Sequence, residues 1–148
     1  MRPFRSSSFI ARSPRPAASR AVPPGLDDID RIARAALAGL PEPFATHIRG
    51  VHVRVEEFCD AETEAEMELE SPFDLLGLYR GVSIDRKSIA DGTPHVDVIF
   101  LYRRPILDYW CETGEDLEHV VRHVLLHEIG HHFGFSDDDM HRIENGPD

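Results

Sequence analysis

Cysteine is scarce in this chain of 148 residues, long apolar runs are missing, and the first 25 residues contain no acid. Each lack excludes something. The two cysteines, Cys59 and Cys111, stand far apart and form no C-x-x-C pair. That usage demands no disulfide, and a reducing cytoplasm is the simpler expectation. No apolar stretch is long enough to cross a bilayer, so no membrane partner is expected. Near the start, Phe9, Ile10 and Ala11 are soon interrupted by Arg12, too short for the apolar part of a signal peptide. No internal repeat is found.

The acid-free stretch, residues 1–25, carries arginine, serine and proline without helical or strand period. Such a segment buries too little apolar surface to offset its ordering entropy, so it is expected to be a disordered basic tail. Its makeup imitates an organelle transit peptide, but composition alone is weak ground for that reading. The folded domain is then expected over 26–148. The net charge is −11, and five arginines (Arg2, Arg5, Arg12, Arg15, Arg20) lie in the tail. Without them the remainder stands at about −16, which keeps a small domain soluble and opposes nucleic-acid binding through its body.

Leu26, Ile29, Ala33, Ala36, Leu37 and Leu40 recur at helical spacing, with Asp27 and Asp28 at the positive end of the dipole and Pro41 as the stop. Val51, Val53 and Val55 alternate with polar residues as in a half-buried strand. Residues 60–70 read as a glutamate-rich loop or short helix, and Leu75 to Tyr79 as a turn and short strand. Asp91-Gly92-Thr93-Pro94 signals a turn. His95 to Tyr102 is the best-defined strand, and a loop or short helix containing Pro105 leads on to Gly114. The longest periodic helix is expected to start near Glu115 and to run through Leu117 to Phe133 with apolar residues on nearly all sides, so it is expected to be central. Gly134 ends it, and Ser136 is placed to cap a last short helix through Glu144. The sum is an α+β domain: a small mixed sheet packed on a central helix.

That helix carries the chemistry. His127-Glu128-Ile129-Gly130-His131 reads H-E-x-x-H. Two imidazoles four residues apart share a helix face and can grip one ion. Glu128 lies about a quarter turn round, where it can take a proton from a bound water. Zinc suits nitrogen and oxygen ligands in fourfold coordination. The string continues through Gly134 to Asp137 as H-E-x-x-H-x-x-G-x-x-D. Glycine accepts the left-handed turn that reverses the chain. The reversal brings Asp137 up as third ligand, and three protein ligands leave one position for water. The alternative for Asp137 is a helix-capping aspartate, which Asp138 and Asp139 equally resemble, and Glu144 is an alternative third ligand. Val120 and Val124 precede His127 on the same face, so the ligands adjoin an apolar stripe.

These residues resemble the zincin metallopeptidases, in the branch whose third ligand is aspartate. LLGLYRGV from Leu75, IFLYRRPI from Ile99 and the run from Leu117 through HEIGHHFGFSDDDM are similar to a family of very small bacterial zincin-like proteins. The resemblance covers Leu26 to Glu144. It implies a minimal zincin fold, one Zn2+ per chain held by His127, His131 and Asp137, and a peptide or protein substrate hydrolysed by a zinc-bound water that Glu128 activates. It also implies an edge strand able to pair with an extended peptide, placed at or near His95 to Tyr102. A zinc-stabilised peptide-binding module with little turnover is the alternative. Met140 follows Asp137 too closely for the methionine turn of a larger metzincin. No residue is fixed as oxyanion donor; Tyr102, Tyr109 and His141 are the candidates. His132 is expected to pack or support the ligands, and His119 and His123 to face solvent. Trp110, Tyr109 and Phe100 are expected in the core, and Arg103 and Arg104 on a solvated face.

Overall fold

The computed structural model describes residues 21–83 and 95–145, with Ser83 and Asp137 described by backbone alone. Most of the expected basic tail and the turn at Asp91–Pro94 lie outside the described residues.

Helix α1 spans Leu26–Ala38. The Asp28 carboxylate accepts from the Gly25 backbone N–H at 2.7 Å, which fixes the start of the helix. Its buried residues, Ile29 and Ala33, turn toward the core. A short helix α2 (Phe44–His47) leads to strand β1 (His52–Glu56). Helix α3 (Ala61–Glu66) occupies the glutamate-rich segment and is capped by Asp60, which accepts from the Thr63 backbone at 2.7 Å. Strands β2 (Gly77–Ser83) and β3 (His95–Tyr102) follow. Helix α4 (Arg103–Thr113), α5 (Leu117–Phe133) and α6 (Asp137–Asn145) complete the described chain. Helices with a small mixed sheet make the α+β architecture expected.

Among the described residues there is one three-stranded sheet, ordered β1-β3-β2. β1 runs parallel to β3, with Val53 opposite Ile99 and Val55 opposite Leu101. β2 runs antiparallel to β3, from Gly77 opposite Leu101 to Ser83 opposite His95. This corrects one expectation. His95 to Tyr102 is the central strand, with both edges paired, and the outer strand on the α5 side is β2. The pattern HVDVIFLY explains why: a central strand is covered on both faces and reads as nearly continuous apolar sequence.

Ile99 and Leu101, fully buried, point from one face of β3 into a core shared with Ile29 and Ala33 of α1 and with α5. In α5 the buried residues Val120, Val121, Val124, Leu125, Leu126, Ile129 and Gly130 cover well over half the circumference. Leu125, Leu126 and Ile129 have no exposure, and each contributes about 1.5–3 kcal/mol by burial. His127 and His131 lie at the C-terminal end of α5, where they continue the face of Val120 and Val124 and are exposed. No helix among the described residues is long and apolar enough to cross a membrane.

Helix α4 is longer than its sequence suggests. Pro105 sits in its first turn, where a backbone N–H has no partner within the helix to lose. Arg103, at the start of α4, is not a solvated residue. Its Nε donates to the Pro24 carbonyl at 2.7 Å and its Nη1 to Glu57 at 2.9 Å. The Arg104 guanidinium lies 5.6 Å from the Phe58 ring centroid.

Candidate metal centre

His127 and His131 occupy the last two turns of α5, both exposed. Their Nε2 atoms are 3.0 Å apart. Two nitrogens bound to one tetrahedral zinc would stand roughly 3.3 Å apart, given bonds near 2.0–2.1 Å. The pair is therefore close to ligand spacing, held so by the fourfold step along one helix face. The pKa of His127 is held below the ordinary imidazole range. Partial burial is the main cause, the neighbouring His131 and His123 add to it, and Glu144 pulls the other way. A neutral imidazole is the form that binds a metal.

Glu128 is half-buried, and burial raises its carboxyl pKa while His131 draws it back. It lies between two hollows. One, of about 250 Å³, is walled by Leu76, Gly77, Tyr109, Val120 and Val124 and opens on His127 and Glu128. The other, of about 360 Å³, is walled by Met67, Leu78, Tyr79 and His132 and opens on His127, Glu128 and His131. Together they form a groove between β2 and α5 that crosses the H-E-x-x-H residues. Two larger hollows, of about 450 Å³ each, lie along α1 and touch neither histidine.

The chain turns at Gly134, whose φ of 69° is the left-handed conformation expected of it. Aromatic packing holds the turn: Phe135 meets Phe44 edge-on at 5.0 Å, and Phe133 meets His47 at 5.5 Å. Ser136 then caps α6 as expected. Its hydroxyl accepts from the Asp139 backbone, and its own N–H donates to the Asp139 carboxylate, both at 3.1 Å. α6 returns along α5. Arg122 donates to the Ile143 carbonyl at 2.5 Å, His123 Nδ1 lies 3.0 Å from Glu144 Oε1, and Ile143 is fully buried. Met140 packs directly on Gly130; any side chain at that glycine would collide with the Met140 sulfur. Met140 thus lines a small hollow of about 150 Å³ with His127 and His131.

Asp137 is the first residue of α6. Its side chain, and so the expected third ligand, lies outside the described residues. Among the described residues no group of three His, Cys, Asp or Glu side chains forms a metal cage. The donor set that is described, two converging imidazoles, fits zinc as two of its nitrogen ligands. Glu144, the alternative, is engaged by His123.

Of the oxyanion candidates, Tyr102 is buried and His141 exposed. Tyr109 walls the hollow at Glu128 and is 39% exposed, which corrects its expected place in the core. Tyr79 went unnoticed in the sequence, where it reads only as a strand residue. It stacks on His132, ring centroids 3.7 Å apart, and its hydroxyl donates to Asp97 at 3.2 Å. Burial and Asp97 raise its phenol pKa. His132 is accordingly a packing partner, and His119 and His123 are exposed as expected.

A family model described as zincin-like metallopeptidase matches residues 48–146. No curated protein matches the chain.

Proposed function

The chain belongs to the zincin-like metallopeptidase family, and on that footing we propose that it is a zinc-dependent peptidase whose catalytic base is Glu128. The family points to a hydrolase acting on peptides or proteins. The finer reading rests on one observation above the rest: the two Nε2 atoms at 3.0 Å stand beside a half-buried Glu128 in the floor of a groove. His127, His131 and Asp137 would hold one zinc per chain. Bound there, the ion would supply a Lewis acid that polarises a peptide carbonyl and eases ionisation of a water. Glu128 takes the proton of the attacking water and hands it to the leaving amine. Burial suits it to both steps, because it strengthens the hold of the carboxyl on a proton. The substrate lies extended along β2, whose edge away from β3 has no partner strand among the described residues.

The test has two parts. Protein purified without chelator should carry one zinc per chain by elemental analysis. Zinc-loaded protein should then cleave members of a peptide library, and Glu128→Gln should keep the metal and lose the cleavage. If wild type and variant are equally inert across the library, the chain is instead a zinc-stabilised peptide-binding module.

A further inference from the structure

Four of the histidines of α5 stand in line. His119, His123, His127 and His131 follow one another at steps of four residues, so each lies over the next along one slowly turning row of the helix surface. Successive ring centroids in the row are 6.4, 6.1 and 4.5 Å apart. The candidate metal centre uses only the last pair. The first pair, His119 and His123, has the same H-x-x-x-H spacing and no part in that centre. Carboxylates stand beside both of its members. Glu115, in the loop before α5, places Oε1 3.6 Å from His119 Nε2. Glu144 of α6 accepts from His123 Nδ1 at 3.0 Å. We infer that Glu115, His119 and His123 form a second metal site, for a divalent ion of the zinc, copper or nickel class, with Glu144 as the group that orients His123.

Three features carry it. An oxygen and a nitrogen on one tetrahedral zinc would stand roughly 3.3 Å apart, so Glu115 and His119 are already near ligand spacing. A carboxylate can only accept, so the proton of His123 is on Nδ1 and its Nε2 is left to a metal. That is the usual support of a histidine ligand, one ring nitrogen held by a carboxylate and the other on the ion. The donor set, two imidazoles and a carboxylate, is one that suits zinc and its neighbours, and a chain of net charge −11 favours a cation. The rings of His119 and His123 lie nearly parallel, 15° apart, so one must turn for both to face one ion. All three ligand side chains are largely open to solvent, and the turn displaces no core. Ordering them costs at least about tenfold in affinity relative to the pair at His127 and His131, whose nitrogens already converge. Purified protein therefore keeps the first ion and loses the second, which returns on titration. The inference does not depend on the peptidase reading.

The test is calorimetric titration of the full chain with zinc, at neutral pH in a buffer that does not chelate. Wild type should take up two equivalents, the second at a free concentration below about 0.1 mM. The double variant His127→Ala/His131→Ala should take up one, with the affinity of the second wild-type step. His119→Ala and His123→Ala should each weaken that step at least about tenfold, since each leaves a single imidazole, and Glu115→Gln should weaken it about threefold or more. His119 is the more exposed of the two, so a fold defect in His123→Ala leaves His119→Ala informative. His52→Ala removes an exposed histidine of β1 outside the row and should change nothing. A double variant that binds no zinc overturns the inference. So does a second step unmoved in both His119→Ala and His123→Ala, the mark of zinc scattered over surface carboxylates. One equivalent in wild type and one in the double variant leaves this site standing and removes the centre at His127 and His131.

Discussion

Strand β2 contains two glycines, four residues apart, that meet opposite surroundings. A Cβ on Gly77 would stand 2.8 Å from Val124 Cγ1, 3.1 Å from the Phe100 carbonyl oxygen and 3.4 Å from Leu101 Cδ2. A Cβ on Gly81 would meet only Asp97 Oδ1, at 3.6 Å. Neither glycine has a positive φ, so alanine fits the backbone at both. The carbon–carbon contact at Gly77 is short of the favourable 3.5–4.0 Å by roughly 0.7 Å. Its neighbours cannot easily yield. Val124 is buried and branched at Cβ, and the Phe100 carbonyl belongs to the central strand. Overpacking of this kind costs about 1–3 kcal/mol, and the gain from restricting the unfolded chain returns about 0.4–1 kcal/mol. Gly77→Ala should therefore lose about 0.5–2.5 kcal/mol. For a domain of this size that is a fall in Tm of roughly 2–15 °C. Gly81→Ala shares the strand and the entropy gain without the clash, and should stay within about 0.5 kcal/mol of wild type or exceed it. The assay is thermal and urea unfolding of both variants in metal-free buffer, so that zinc linkage does not enter. If Gly77→Ala is as stable as Gly81→Ala, β2 does not lie against α5 as described, and the groove at Glu128 is misdrawn. The same contact predicts lost peptide cleavage in Gly77→Ala, because the strand forming one bank of that groove must move away from the helix forming the other.

Three further outcomes are expected. Glu128→Gln should lower peptide cleavage by about 10²–10⁴-fold with zinc content unchanged; retention of more than a tenth of the activity would remove Glu128 as base. In metal-free protein the raised Glu128 pKa means that folding favours its protonated form. The stability it contributes is full below the ordinary glutamate range and is lost as pH rises through the folded value. Glu128→Gln should therefore be more stable than wild type at neutral pH and equal to it below about pH 4, which chemical denaturation at the two pH values will check. Asp137→Asn should weaken zinc binding at least tenfold, on the order of 1.4 kcal/mol, and Asp138→Asn much less, in competition with a fluorescent zinc chelator; the opposite order would transfer the ligand role.

What the sequence makes legible is local. The helix bearing His127 and His131, its stop at Gly134 and the Ser136 cap depend on neighbours within a few residues, and all three are where the pattern puts them. Strand partners depend on pairings far along the chain. Alternation shows that β3 is a strand; only the near-absence of polar residues in HVDVIFLY hints that both its edges and faces are covered, and a burial pattern does not name partners. β2 is harder still, because Gly77 and Gly81 weaken its strand signal, while Gly77 serves the close approach to α5. Pro105 disguises α4, since a proline in the first turn looks the same in sequence as one that ends a helix. Tyr109 and Tyr79 come to the groove from a helix and a strand distant in sequence from Glu128, and no spacing rule connects them to it.

The docking of α6 has a consequence for how strongly a cation could be gripped. Arg122 on the Ile143 carbonyl, His123 on Glu144, the buried Ile143 and the Met140–Gly130 contact all hold α6 to α5 without any ion. The backbone of Asp137 at the head of α6 is thereby confined near the end of α5, so a third ligand supplied from that position, as proposed, would need little further ordering to bind. The loop-closure entropy of the Gly134 turn has then already been spent on folding, and little of it is left to weaken the binding equilibrium. Shortening the chain ahead of Ile143 would undo this. The H-E-x-x-H residues would remain on an intact helix, while a carboxylate on a loose end would have to find them by diffusion of its own segment.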